Sequence, residues 1–395
     1  MIPRITKTLA IATTIVMLTA GMLPAQSRTV KVGLLAPMTG PNPDWGKKQG
    51  VGMRMAVEAV NKRGGVNGLP IEAVIGDSGG NPEGALSLYR KLALEDRVLV
   101  AIGPMFSEQF QTLSEVSNEV RVPIIATASA MPGLSDLEKR PYAFRMTVTS
   151  DKKEAPPAKA WVSAHGINKV VILHDEETTV WVTMATKLWP VIMKDLNVEI
   201  LNKENPISFK KGQQNFGDHV KRAMGYRPDG ICISAYPEEA GELIREMRRQ
   251  GLKQPILGAS GMANPKLIEI AGAAAEGVYS NSLFYLEDPN PKVQAYIREF
   301  RGRCEKEYPS MNADPEQFDV VVYDSLLFLV DIMKKQMIRN DPLKLQEDRN
   351  KIREGLANMG VWRGTAGMMA FDEKGDGIRT VHILKVKDGK WQPAE

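Results

Sequence analysis

The sequence predicts an α/β protein with two doubly wound parallel-sheet lobes. Short apolar runs alternate with amphipathic stretches of helical period, first over residues 30–128 and again over 169–260. This alternation is typical of parallel sheets covered by helices on both faces. The chain has 395 residues, 43% of them hydrophobic and 25% charged, so it is long enough to form more than one core. We therefore expect two similar lobes, each built around its own sheet.

The first array contains four strand candidates separated by three helical stretches. The strands are VKVGLLA (30–36), IEAVIGD (71–77), VLVAIG (98–103) and VPIIATA (122–128), and the helices span 47–62, 82–96 and 107–120. The second helix opens with Asn81, Pro82 and Glu83, which provide an N-cap, a proline at the first helical position and an acid in the first turn. This order predicts βαβα units.

The same pattern restarts at residue 169. The strands are KVVILHD (169–175), NVEILNK (197–203), DGICISA (229–235) and QPILGAS (254–260), alternating with helical stretches at 179–194, 214–225 and 237–250. Further helical stretches follow at 290–307, 315–338 and 344–358, and the tail from Met368 to Trp391 is typical of strands joined at glycine turns. These late elements are expected to be shared between the lobes.

The first 25 residues, MIPRITKTLAIATTIVMLTAGMLPA, have the three-part pattern of a secretory signal. Arg4 and Lys7 precede an apolar run from 9 to 18, which is shorter than the roughly 20 apolar residues that a membrane span requires. No cysteine stands near Ala25, which argues against lipid attachment. We expect residues 1–25 to be a cleaved signal peptide and the mature protein, beginning near Gln26, to be periplasmic and monomeric.

The charge pattern argues against a nucleic-acid partner. The net charge is +4, and removing Arg4 and Lys7 from the 51 basic residues leaves 49 against 47 acidic ones. These charges are interspersed along the chain, without a basic block interleaved with aromatic residues.

The sequence gives little support for catalysis, a metal or a cofactor. It has no GxGxxG after the first strand, no GxSxG, no CxxC and no HExxH, and its four histidines are scattered. Its two cysteines, Cys232 and Cys304, lie in a strand-like and a helix-like stretch, and we expect two buried or half-buried thiols. We expect a protein that is not an enzyme.

The order of short motifs resembles one known family. VKVGLLAPMTGP, GVGMRMAVEAVNKRGGVNG, DSGGNPEGA, IGPMFS, PIIATASA, GASGMAN, AAEGVY and FDEKGDG follow one another along the chain. In this order they resemble the solute-binding proteins of branched-chain amino acid ABC importers, over essentially the whole mature chain. The resemblance implies a type I periplasmic-binding-protein (Venus-flytrap) fold, whose lobes close on a small solute and dock on a permease and ATPase complex.

The resemblance also implies how the chain divides into lobes. Three crossovers are expected near residues 147–150, 278–284 and 358–362. The N-terminal lobe then comprises residues 26–148 and 282–359, and the C-terminal lobe comprises residues 149–281 and 360–395.

Ser107 is the first candidate for a contact with the solute. It follows a strand and starts a predicted helix, whose free N–H groups suit an anion. In the family that this chain resembles, the matching serine and helix N-terminus hold the ligand carboxylate. The segment matching Ala128, Ser129 and Ala130 contributes backbone groups to the ligand. The alternative is that Ser107 only caps its own helix, a role worth about 1 kcal/mol.

The other candidates match less closely. Trp45 and Tyr236 fall at aromatic positions of the family, and together with Phe106 they offer ring contacts to a solute. Thr179 stands where amino acid binders tend to have a tyrosine. Ser260 stands where they have a glutamate that pairs with the ligand ammonium.

Two functions from different classes remain open. The first is a periplasmic module that delivers a small carboxylate-bearing solute, an amino acid or an aromatic or organic acid, to an importer. Ser260 favours a solute without an α-ammonium group, because an unpaired charge is costly to desolvate. The second is a ligand sensor not coupled to transport.

Overall fold

The computed structural model describes residues 28–40 and 42–394. The predicted signal peptide, residues 1–25, lies outside the described residues.

A five-stranded parallel sheet forms the centre of the first lobe. Its strands are β1 (Val30–Ala36), β2 (Ile71–Asp77), β3 (Val100–Ile102), β4 (Ile124–Ala126) and β5 (Ala143–Arg145). They are arranged in the order β2-β1-β3-β4-β5. The helices that connect the first four are α1 (Pro43–Asn61), α2 (Pro82–Leu94) and α3 (Ser107–Val120).

Both faces of this sheet are buried, which explains why its strands are almost continuously apolar. Successive side chains of a strand point to opposite faces. Accordingly Leu34 packs in the core that contains Met53 of α1, whereas its neighbour Leu35 packs with Tyr89 of α2 and Phe110 of α3.

The second lobe begins with α4 (Ser150–His165) and repeats the same plan. Its parallel strands are β6 (Lys169–Asp175), β7 (Glu199–Ile200), β8 (Ile207–Phe209), β9 (Gly230–Ser234), β10 (Ile256–Gly258) and β11 (Tyr279–Ser282). Its helices are α5 (Thr179–Thr183), α6 (Trp189–Asp195), α7 (Gly217–Gly225), α8 (Pro237–Arg249) and α9 (Pro265–Ala271). A π-helical segment, Met184–Leu188, joins α5 to α6.

The late elements are divided between the lobes. Helices α10 (Pro291–Glu307), α11 (Gln317–Lys335) and α12 (Leu345–Ala357) return to the first lobe, where α11 packs along α1. Strands β12 (Trp362–Gly364), β13 (Gly367–Phe371) and β14 (Gly377–Arg379) form a small antiparallel sheet. Strands β15 (His382–Lys387) and β16 (Lys390–Pro393) extend the second sheet, which has the order β16-β15-β11-β10-β9-β6-β7 with β8 also paired to β6.

The chain passes between the lobes three times. It crosses after β5, after β11 and again between β14 and β15. The small antiparallel sheet packs on the first lobe, because the rings of Phe371 and Phe328 lie 5.9 Å apart and Met369 belongs to the first core. Residues 362–379 therefore pack with the core of the first lobe. The division of the chain at crossovers near 147–150, 278–284 and 358–362 stays a prediction.

Helix α4 has no counterpart among the predicted helices. Pro156 and Pro157 lie inside it, and a proline inside a helix removes an N–H donor and opposes helix formation. This helix matters for the site, because it is the first element of the second lobe after a crossover.

Both cysteines are buried and unpaired, in agreement with the expectation for Cys232 and Cys304. None of the helices within the described residues has the length and apolar character needed to cross a membrane.

Candidate functional site

Each sheet has a point where the strand order reverses direction, and the two points face each other. In the first sheet the reversal lies between β1 and β3, and in the second between β6 and β9. Open α/β sheets bind ligands at such points, beyond the carboxyl ends of the strands. Trp45 follows β1 and Tyr236 follows β9, and their ring centroids are 5.5 Å apart across the cleft. The lobes are therefore closed on each other in this structure.

A cavity of about 80 Å³ lies between these loops, lined by both lobes. Most of the candidate residues line it. They are Trp45, Phe106, Ser107, Ala128 and Ala130 of the first lobe and Tyr236 and Ser260 of the second.

Two candidates lie elsewhere. Ser129 is buried beside the cavity, and its hydroxyl donates to Ser107 Oγ over 3.3 Å. It therefore holds the Ser107 side chain in place. Thr179 is absent from the lining, where its neighbours Thr178 and Val180 are found.

The N-terminus of α3 opens into the cavity. Ser107 is the first helical residue, and the N-cap position belongs to Phe106, so Ser107 does not cap the helix. The Phe106 N–H donates to Gln109 Oε1 over 3.3 Å, and the Ser107 hydroxyl accepts from Met131 N–H over 3.4 Å. The first N–H groups of a helix lack intrahelical acceptors and form its positive end. The arrangement suits an anionic group next to Ser107.

Aromatic rings from both lobes wall the cavity. Trp45 lies 4.8 Å from Phe318 of α11 and 5.5 Å from Tyr236, and Tyr236 in turn lies 5.3 Å from Trp181 of α5 (centroid distances). Such tilted and edge-on pairs are favourable arrangements of aromatic rings. The walls therefore suit a solute with an apolar or aromatic body.

Trp181 and Phe318 were not among the candidates. They stand about 140 positions apart in the sequence, and only lobe closure brings both to one cavity. The amphipathic pattern identified their helices but not the face that meets the cleft.

Two charged residues of α4, Lys153 and Glu154, line the same cavity and were also missed. Both are buried. Burial raises the pKa of Glu154, and burial lowers the pKa of Lys153. The charged stretch SDKKE, directly after the first crossover, could have identified these two residues. It was not recognised because the two prolines that follow argue against a helix.

Glu154 lies against Ser260. Its Oε1 accepts from the Ser260 N–H over 3.1 Å, and its Oε2 accepts from Asn281 Nδ2 over 2.7 Å. The cleft thus contains a buried carboxylate even though position 260 is a serine.

The segment that carries Ala128, Ser129 and Ala130 is fixed from behind by Arg145. This buried arginine donates through Nη1 to the carbonyls of Ser129 and Met131, and through Nε to Asp376 over 2.5 Å. Within residues 28–40 and 42–394 no group of three or more His, Cys, Asp or Glu side chains is placed to hold a metal ion.

The chain is similar to known proteins over most of its length. A family model described as "Periplasmic binding protein" matches residues 29–390. The leucine-, isoleucine-, valine-, threonine- and alanine-binding protein of Pseudomonas aeruginosa is 26% identical over 352 residues, which cover 88% of this chain and 87% of that protein. The Leu/Ile/Val-binding protein homolog 2 of Brucella abortus is 27% identical over 369 residues, 92% of each chain.

Solved structures share the fold. A leucine-binding protein of Thermotoga maritima superposes with a TM-score of 0.77 at 24% identity, covering 93% of this chain and 98% of that one. A branched-chain amino acid transporter substrate-binding protein of Streptococcus pneumoniae, in complex with isoleucine, gives 0.76 at 23%, covering 93% and 99%. A solute-binding protein of Rhodopseudomonas palustris, in complex with 3,4-dihydroxybenzoic acid, gives 0.75 at 20%, covering 92% and 95%. These likenesses confirm the predicted two-lobe fold.

Proposed function

Because this chain belongs to the periplasmic binding protein family, we propose that it is the solute-binding component of an ABC importer of the branched-chain amino acid type. In this role it captures a small carboxylate-bearing solute outside the cytoplasm and delivers it to a permease and ATPase complex. The proposal includes a monomeric mature chain that begins near Gln26.

The observation that carries the proposal is the open N-terminus of α3 in a closed cleft. Its free N–H groups and the hydroxyl of Ser107, which does not cap the helix, form an anion-binding end. This end lies in a cavity lined by aromatic rings of both lobes. A carboxylate suits this end because it accepts several charge-assisted hydrogen bonds at once.

Closure of the lobes is the expected route of capture. Residues from both lobes complete the cavity, so a solute that contacts both favours the closed conformation by its differential affinity. A closed complex then presents a surface that differs from that of the open protein, which allows a permease to distinguish loaded from empty protein.

The names of the relatives and the ligands of the structural neighbours indicate which solutes to test. Two relatives are named for branched-chain amino acids, and one structural neighbour was solved with isoleucine and another with 3,4-dihydroxybenzoic acid. All these compounds carry a carboxylate, and they differ in whether an α-ammonium accompanies it. We propose a carboxylate as the shared feature and treat the ammonium as a separate question.

The test is isothermal titration calorimetry of the unliganded protein with a panel of carboxylates. The panel contains benzoate, 3-phenylpropanoate, 3-phenylpropenoate and aliphatic acids, beside leucine, isoleucine and valine. We expect at least one carboxylate to bind with micromolar or tighter affinity, and the matching amide or alcohol to bind at least tenfold more weakly. Equal binding of acid and amide would contradict the carboxylate proposal.

A further inference from the structure

Lys153 is a buried cation that lines the cavity. Its side chain belongs to the first turn of α4, and the residue is only 5% exposed. Across residues 28–40 and 42–394 its ammonium makes no hydrogen bond or ion pair, and the neighbouring Glu154 acts on it only through its charge. A charge on a largely buried side chain is unfavourable without a partner, so an anion in the cavity that Lys153 lines would supply the hydrogen bond that this ammonium lacks.

Lys48 of α1 shows what a satisfied buried lysine looks like in the same protein. It is equally buried, at 4% exposure, but its ammonium donates to Glu316 Oε1 over 2.6 Å and to the Asp314 carbonyl over 2.7 Å. Lys153 has neither kind of partner. Its place in the first turn of a helix adds to the cost, because the positive end of the helix disfavours a cation.

Glu154 is not available as a strong partner for a solute cation. Its two oxygens accept hydrogen bonds from the Ser260 N–H and from Asn281 Nδ2. A solute ammonium would have to compete for these oxygens while lying next to the Lys153 ammonium. Glu108, the other acid of the lining, is half-buried in the first turn of α3, where a carboxylate is favoured by the helix dipole.

We propose that Lys153 is a second anion-binding residue of this cleft and that the solute is a carboxylic acid without an ammonium group. Glu154 acts as a positioning residue that fixes Ser260 and balances the Lys153 charge in the closed protein. The aromatic walls at Trp45, Tyr236 and Phe318 favour an aromatic body for this acid. This inference rests on the solute-binding function proposed above.

The first experiment compares two compounds that differ by one group. 3-Phenylpropanoate and L-phenylalanine have the same ring and carboxylate, but only phenylalanine carries an ammonium. Calorimetry on the wild-type protein is expected to show at least tenfold tighter binding of 3-phenylpropanoate. Tighter binding of phenylalanine or leucine than of the acids would overturn the inference while leaving solute binding intact.

The second experiment removes the Lys153 charge. Lys153→Met is expected to weaken binding of the acid by about tenfold to a hundredfold, the loss typical of a hydrogen bond to a charged group. The matched control is Lys159→Met, since Lys159 lies on the same helix but is exposed and does not line the cavity. The control is expected to bind like wild type. Binding by Lys153→Met within twofold of wild type would overturn the inference.

A measurement without solute separates binding from folding. Lys153→Met/Glu154→Gln removes the buried Lys153 cation together with the Glu154 charge that balances it, so the melting temperature of the empty double variant is expected to equal or exceed that of wild type, while the stabilisation by added acid shrinks. A lower melting temperature of the empty variant, with solute stabilisation retained, would show that Lys153 has only a structural role.

Glu154→Gln tests the alternative in which Glu154 pairs with an ammonium group of the solute. The amide keeps an acceptor for Ser260, and Asn281, whose Nδ2 now donates to Glu154, can accept from the new NH₂ group through its unpaired Oδ1 by turning its own amide over. We expect acid affinity to be retained. A tenfold or greater loss of leucine affinity, with no effect of Lys153→Met, would identify Glu154 as an ammonium partner and overturn the inference. If none of the acids or amino acids binds the wild-type protein, the proposed function itself fails.

Discussion

Asn264 of the second lobe donates from Nδ2 to Glu316 Oε2 of the first lobe over 2.5 Å. The other oxygen of Glu316 accepts from the buried Lys48 ammonium over 2.6 Å, which fixes the carboxylate in place. Asn264 is fixed as well, because its Oδ1 caps α9 by accepting from the Lys266 N–H over 2.8 Å. The lobes are thus joined across the cleft by a hydrogen bond whose two partners are each held by their own lobe.

Asn264→Asp is expected to weaken closure. The new carboxylate keeps the cap on α9 but faces Glu316, and like charges across an interface are unfavourable. Solute affinity is expected to fall by about tenfold, and small-angle scattering at saturating solute is expected to give a larger radius of gyration than for closed wild type. Asn290→Asp is the control, because Asn290 caps α10 through the Lys292 N–H in the same way. An equal effect of both variants would show that the cap rather than the contact between lobes matters.

Much of the scaffold follows from sequence pattern. Strands β1, β2 and β6 have the predicted bounds, as does α3, because buried parallel strands and a serine-initiated amphipathic helix leave strong local signals. Strands β3 and β4 are shorter than predicted. Residues on both sides of each strand are also buried, among them Val98, Leu99 and Val122 before the strands, so the apolar run is longer than the hydrogen-bonded strand.

The site was less predictable than the scaffold. Ser107 and Tyr236 follow strands that carry clear signals, and both line the cavity. Lys153 and Glu154 lie on a helix whose two prolines argue against a helix in the sequence, and the amphipathic pattern around Trp181 does not show which face of α5 meets the cavity. Contacts across a closed cleft depend on tertiary geometry, which periodicity does not encode.

Export is predicted to remove the first 25 residues. The chain expressed with its own N-terminus in a Gram-negative host is expected in the periplasmic fraction, with an intact mass that begins at Gln26 and a monomeric elution volume. A retained leader, or recovery only with membranes, would contradict this prediction.

Asp319 is predicted to make stability depend on pH. Burial raises the pKa of this carboxyl to about 8, whereas its ordinary value is near 4. Between these values the folded state keeps a proton that the unfolded state releases, so stability falls as pH rises from about 4 to about 8. Between pH 5 and 8 the loss from this group is expected to be on the order of 2 to 4 kcal/mol.

Asp319→Asn is expected to flatten this part of the profile. The amide oxygen accepts from the Glu316 N–H and the NH₂ group donates to the Tyr296 hydroxyl, the two partners that Asp319 has now. Melting temperatures from pH 5 to 8 measure the effect. Asp331→Asn, on the same helix and exposed, serves as control and should keep the wild-type slope. A slope retained in Asp319→Asn would place the titrating group elsewhere.

Ser107→Ala is predicted to weaken solute binding without unfolding the protein. The hydroxyl is not the cap of α3, so its removal leaves the Phe106 to Gln109 contact at the helix start intact. A hydrogen bond to a carboxylate is worth on the order of 1.5 to 3 kcal/mol, which corresponds to an affinity loss of roughly tenfold to a hundredfold. Ser117→Ala is the matched control, since Ser117 is buried in the same helix and donates to the Ser114 carbonyl over 2.8 Å. Calorimetry with the tightest carboxylate of the panel, together with the melting temperature of each empty variant, measures both effects. Unchanged affinity in Ser107→Ala, with a loss of melting temperature, would mean that Ser107 stabilises the loop through Ser129 and Met131 and that the carboxylate lies elsewhere in the cleft.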